Sequence, residues 1–165
     1  MLASLTAGAV CCPARMREIL FICTGNYYRS RYSEALFNDE ASRRGLGWRA
    51  LSRGLAIHLA PPRGLSPHTI RRLQERGISR GGTGADPVQV READFRRATR
   101  VVALKETEHR PLMARLHPGW ENRIEYWEIS DLDAATPEVA LGAIEAQVMA
   151  LISGLERAKG GPHAK

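Results

Sequence analysis

Phe21-Ile22-Cys23-Thr24-Gly25-Asn26-Tyr27-Tyr28-Arg29-Ser30 is the stretch on which the reading of this 165-residue chain turns. Arg17 to Ile22 reads as a buried strand, apolar from Ile19 onward. A helical pattern follows from Arg31 to Arg44, with Gly45 as its stop. The strand should end at Cys23, and Ser30 is placed to cap the helix. Five residues separate Cys23 from Arg29, enough to wrap a loop whose backbone N–H groups point at one centre. Such a nest binds a tetrahedral oxyanion. The N-terminus of the following helix adds its dipole and free N–H groups. Arg29 can close the ring with a planar fork. Gly25 and Asn26 tolerate the unusual backbone angles such a loop requires. Cys23 would then lie beneath the bound phosphorus as a thiolate.

Outward from this loop, strand and helix patterns alternate. Trp48 to Arg53 reads as a second strand, and a Gly/Pro-rich loop leads to a helix begun by Ser66-Pro67 and ended by Gly77. Its apolar face is Ile70 and Leu73. Gly81-Gly82-Thr83-Gly84 reads as loop punctuation. A short helix near 91–97, a strand at 100–104, a helix at 106–116 and a strand at 123–127 follow. The last helix opens at Thr136-Pro137-Glu138 and carries Leu141, Ile144, Val148, Leu151 and Leu155 on one face. This alternation predicts an α/β fold of three layers, a parallel sheet between two layers of helices. A ligand loop at the carboxyl end of the first strand fits the rule for open α/β sheets.

The bulk composition fits one ordinary globular domain, with 44% hydrophobic and 25% charged residues. Residues 1–15 read as a disordered extension, 16–158 as the single domain and 159–165 as a disordered tail. No apolar run in the sequence reads as a membrane span, and no secretory signal is recognised. The net charge of +6 favours anionic partners, yet no basic block with interleaved aromatics marks a nucleic-acid face. Neither nucleic acid nor membrane is expected as a partner. Three cysteines, with Cys11 and Cys12 adjacent, make no disulfide framework and suit a reducing cytoplasm.

The loop residues resemble those of the low-molecular-weight protein tyrosine phosphatase family. Its signature of strand, Cys-x-Gly-Asn-x-x-Arg-Ser and a helix with Glu-Ala is matched by Cys23, Gly25, Asn26, Arg29, Ser30, Glu34 and Ala35. The resemblance spans most of Met16 to Leu155, more loosely after residue 50. It implies a four-stranded parallel sheet in the order 2-1-3-4. It also implies a cysteine-dependent phosphatase with neither cofactor nor metal. The expected substrate is a phosphorylated protein or a small phosphoester, phosphotyrosine or an aryl phosphate, and the product inorganic phosphate. Cys23 is the implied nucleophile, and Arg29 is the residue on the phosphate oxygens. Thr24, Gly25, Asn26, Tyr27, Tyr28 and Ser30 complete the substrate-binding set, with Ser30 donating to the Cys23 sulfur. The family's general acid is an aspartate in a loop after the last strand. Asp131, four residues after Trp127, falls there, and Asp133 is its competitor.

The chain departs from the family pattern in several places. Leu132 replaces the usual proline, and Ala134 and Ala135 stand where many members have aromatics. His58 falls near another specificity position. Arg31 replaces a proline, and Lys105-Glu106-Thr107-Glu108-His109 replaces an Asp-x-x-Asn. Tyr28 stands where many members carry a second cysteine. No cysteine follows Cys23, so the disulfide cascade of the arsenate reductases that share this fold has no relay. A phosphate-binding module without turnover is the other reading. Hydrolysis of a chromogenic aryl phosphate separates the two.

Overall fold

The structure, a computed structural model, describes residues 16–160. The expected extension at 1–15 and residues 161–165 lie outside the described residues. Four strands, β1 (Arg17–Cys23), β2 (Trp48–Gly54), β3 (Arg100–Ala103) and β4 (Glu125–Tyr126), form one sheet in the order β2-β1-β3-β4. Every pairing within it is parallel. Five α-helices accompany it: α1 (Arg29–Arg43), α2 (Pro67–Glu75), α3 (Glu92–Arg97), α4 (Glu106–Leu116) and α5 (Pro137–Gly160). The last helix therefore continues two residues into the stretch expected as tail.

β1 is central, and from Ile19 to Cys23 it is buried on both faces, so this part reads as an unbroken apolar run. Its side chains nevertheless alternate. Ile19 and Phe21 join the core under α1, α2 and α5, with Leu36, Phe37, Leu73, Ile144, Val148 and Ile152. Leu20 and Ile22 join the opposite core with Phe95 of α3 and Met113 of α4. The helices thus make the outer two layers. α5 is long and apolar enough to span a membrane, with a mean hydropathy of 1.4 in its most apolar stretch. Here it lies along α1, and its Ile144, Val148 and Ile152 are fully buried in that core.

Two elements differ from expectation. α1 begins at Arg29, two residues early, with Tyr28 at the cap position and no side-chain cap bond. Ser30 therefore lies inside the helix and does not cap it; its hydroxyl is engaged by the loop. The fourth strand is two residues rather than five, because Arg123 is drawn into a turn by its N–H bond to the Trp120 carbonyl. Past β4 the chain stays tied to the end of β3, with Trp127 N–H donating to Ala103 O at 2.8 Å and Ile129 N–H to Leu104 O at 2.8 Å. These bonds deliver residues 129–132 to the carboxyl end of β1.

Candidate active site

β1 ends at Cys23, paired with Gly54 at the end of β2, and the chain then turns through residues 24–28 into α1. The carbonyls of this loop are tied outward. Cys23 O accepts from Leu55 N–H at 2.9 Å, Thr24 O from Ala56 N–H at 2.8 Å and Tyr27 O from Ser66 N–H at 3.0 Å. In a planar trans peptide the N–H opposes the C=O, so the N–H groups of Thr24, Gly25 and Tyr28 face the other way, into the loop. Asn26 has a φ of 50°, the left-handed conformation that asparagine tolerates. Its N–H lies 3.2 Å from the Cys23 Sγ. Gly25 must be glycine for a different reason: a Cβ there would lie 2.3 Å from the Cβ of Ala60. The loop is wedged against the segment after β2.

Behind the loop the Asn26 side chain is a fully engaged hub. Its amide N–H₂ donates to Ser30 Oγ at 3.0 Å and to Ser52 Oγ at 2.9 Å, while its Oδ1 accepts from Val88 N–H at 2.8 Å. Ser30 Oγ lies 3.0 Å from Cys23 Sγ. Because it already accepts from Asn26, its own proton is free to donate to the sulfur. The Ser52 hydroxyl donates to Glu34 Oε2 at 2.6 Å. Burial pushes the Glu34 carboxyl up to about 7, against the hydrogen bond from Ser52 and the charges of Arg31 and Arg53.

Arg29 is 1% exposed and lies at the rim of this loop. Its Nη1 donates to Glu108 Oε2 at 2.9 Å and to Ile129 O at 3.1 Å; its Nη2 donates to Glu108 Oε1 at 2.9 Å and to Asp131 Oδ2 at 2.7 Å. Glu108 also accepts from the Thr24 hydroxyl, and its Oε1 lies 3.2 Å from His109 Nε2. Burial opposes charge on Glu108, but the contacts with His109 and the fork from Arg29 outweigh it and hold the carboxyl well below the usual range. His109 is pushed down by burial, and its Nδ1 accepts from Lys105 N–H at 2.9 Å.

A cavity of about 250 Å³ opens over the loop, lined by Cys23, Thr24, Gly25, Tyr27, Tyr28, Arg29, Leu59, Ala60, Pro61, Ser66, Glu108, Asp131 and Leu132. Most of the residues marked in the sequence are thus brought together. Asn26 and Ser30 do not line the cavity and support it from behind. Asp131 faces the cavity, and Asp133 is exposed outside it. His58 is exposed and does not line the cavity, and neither do Ala134, Ala135 or Trp127; Leu59, Pro61 and Leu132 supply apolar wall instead. The Tyr28 hydroxyl is buried without a partner among the described residues. Burial, and next the charge of Asp131, push it up to about 12. Glu108 is the site residue that sequence reasoning left without a role. Its one signal was the departure at 105–109, an acidic residue in the first turn of a helix that follows β3. Among the described residues no cluster of His, Cys, Asp or Glu could hold a metal ion.

The chain resembles known proteins in sequence and in fold. Residues 18–137 match the family described as low molecular weight phosphotyrosine protein phosphatase. A protein-arginine-phosphatase of Bacillus subtilis (strain 168) is 41% identical over 63 residues, covering 38% of this chain and 40% of the relative. The chain thus aligns with about two fifths of the length of that curated relative. Among solved structures, YfkJ from Bacillus subtilis superposes with a TM-score of 0.73 at 24% identity, over 87% of this chain and 97% of its own. A low molecular weight protein tyrosine phosphatase from T. tengcongensis gives 0.68 at 25% identity, over 84% and 99%.

Proposed function

This chain belongs to the low molecular weight phosphotyrosine protein phosphatase family, and from that premise we propose that it hydrolyses phosphate monoesters through a phosphocysteine intermediate on Cys23. One observation carries the reading. The Cys23 sulfur lies below a loop whose N–H groups turn inward, with Ser30 Oγ at 3.0 Å and Asn26 N–H at 3.2 Å as donors to it. Donors to sulfur stabilise the thiolate, which is the attacking form. The thiolate attacks phosphorus, a P–S bond forms and the P–O bond to the leaving group breaks. Asp131, at the cavity wall, gives the departing oxygen its proton. It then takes a proton from the water that cleaves the P–S bond. Inorganic phosphate leaves and Cys23 is restored. Loop N–H groups and Arg29 hold the charge that develops on the equatorial oxygens. No metal or cofactor enters these steps.

The substrate is a phosphorylated protein or a small phosphoester, met in a reducing cytoplasm. Tyr27 and Tyr28 with Leu59, Pro61 and Leu132 offer walls for a phosphotyrosine or aryl phosphate ring. A second substrate reading has its own support. Asp131 lines the cavity, and its carboxylate, once off Arg29, complements a cationic leaving group such as the guanidinium of phosphoarginine. That is the class named for the Bacillus subtilis relative. Steady-state hydrolysis of an aryl phosphate, a phosphotyrosine peptide and a phosphoarginine peptide tests both. Turnover of the aryl phosphate is expected, and the ratio of kcat/KM for the two peptides assigns the class. No turnover of any of the three, with phosphate still bound, would leave a binding module.

A further inference from the structure

Arg29 has five N–H donors, and the protein already uses four of them. Both hydrogens of Nη1 and both of Nη2 are engaged, and Nε–H has no hydrogen-bond partner among the described residues. The engagement is divided by edge. Glu108 bridges Nη1 and Nη2 with two 2.9 Å bonds, the end-on fork. Asp131 takes the remaining hydrogen of Nη2 at 2.7 Å, on the edge that Nη2 shares with Nε. A phosphate held by a planar fork needs two parallel donors, and the Nε edge offers them only when Asp131 lets go.

The two carboxylates are also held differently. Glu108 is in the first turn of α4 and is gripped by Arg29 and by the Thr24 hydroxyl, with His109 Nε2 3.2 Å away. His109 is itself oriented by the Lys105 N–H. Asp131 stands in the loop after β4 with a single Nη2 bond to Arg29, and its side chain is 41% exposed against 32% for Glu108. Its other oxygen accepts from the adjacent Leu132 N–H.

We propose that the two carboxylates have separate tasks. Glu108 is a positioning residue that stays on Arg29 and fixes the plane of its guanidinium, whereas Asp131 occupies the phosphate edge and is displaced by the substrate. Displacement frees Asp131 from Arg29 at the moment the leaving group arrives. This inference rests on the reading of the Cys23 loop as a phosphate site.

The test is the inhibition constant of inorganic phosphate in the full chain, in wild type, Glu108→Gln, Glu108→Asp and Asp131→Asn, with direct titration calorimetry where turnover is too low. Simple electrostatics makes both neutral substitutions bind phosphate more tightly, since each removes a negative charge beside a dianion. The proposal requires opposite signs. Glu108→Gln should weaken phosphate by about tenfold, roughly one charge-assisted hydrogen bond. Asp131→Asn should tighten it severalfold. Glu108→Asp, which keeps the charge, should recover part of the loss. In an Arg29→Lys background Glu108→Gln should add little, a result that general damage to the fold does not produce. Tighter or unchanged binding in Glu108→Gln, with wild type binding normally, overturns the proposal while leaving the phosphatase reading intact. Absence of phosphate binding by wild type overturns both.

Discussion

Ser30 Oγ lies 3.0 Å from Cys23 Sγ, although the two residues are seven apart and the serine is inside α1. Asn26 fixes the hydroxyl from the other side. Ser30→Ala removes a donor to the sulfur and leaves one amide hydrogen of Asn26 unpaired. A loss of about tenfold in kcat is expected, the size of one hydrogen bond to a charged group. Iodoacetate should also alkylate Cys23 more slowly at mildly acidic pH. Unchanged alkylation would mean the serine does not support the thiolate.

Gly25 and Ala60 form a steric pair. The Cβ of Gly25→Ala would lie 2.3 Å from Ala60 Cβ, so the loop or the segment after β2 must shift. Overpacking of this kind costs about 1–3 kcal/mol. The single variant should lose thermal stability and phosphate affinity together, and adding Ala60→Gly should restore much of both. Failure of the second change to rescue would place the strain elsewhere.

Asp131 and Asp133 are separated by leaving-group dependence. Asp131→Asn should slow alkyl phosphates far more than nitrophenyl phosphate, because a good leaving group needs little protonation. Asp133→Asn should behave as wild type, since that side chain is exposed and outside the cavity. The reverse pattern assigns the acid to Asp133.

Much of this site was legible because its determinants are local. Cys23, Gly25, Asn26 and Arg29 lie within seven consecutive residues, and the strand that ends there and the helix that begins there announce themselves by pattern. The order of the strands came from the family resemblance. Ser30 reads as a cap because serine before a helical run favours that role, which also sets the expected start of α1 late; the contact of Ser30 with the sulfur came from the family resemblance. Glu108 was out of reach because it meets Arg29 from 79 residues away, at a position where the family pattern is lost. Leu59 and Pro61 line the cavity, whereas His58 in the same short 3₁₀ turn at Ile57–Leu59 is exposed and does not.

Glu34 makes stability depend on pH. Its folded value of about 7 lies above the reference of 4.5. Between those values the folded state binds more protons than the unfolded state, so stability falls as pH rises. The contribution is on the order of 3 kcal/mol across that window. Glu34→Gln keeps an acceptor for Ser52 and removes the titration. Its urea midpoint should therefore change less between pH 5 and pH 8 than that of wild type. Parallel profiles would remove Glu34 as the cause.

The covalent step on Cys23 is tested most directly by trapping it. Wild type is mixed with an aryl phosphate, quenched in acid within the first turnovers, digested and weighed by mass spectrometry. One phosphoryl group is expected on the peptide that carries Cys23. Cys23→Ala, folded and still binding phosphate, should have lost turnover. Hydrolysis at the wild-type rate by Cys23→Ala, or a phosphoryl group trapped on another residue, would contradict the covalent step on Cys23.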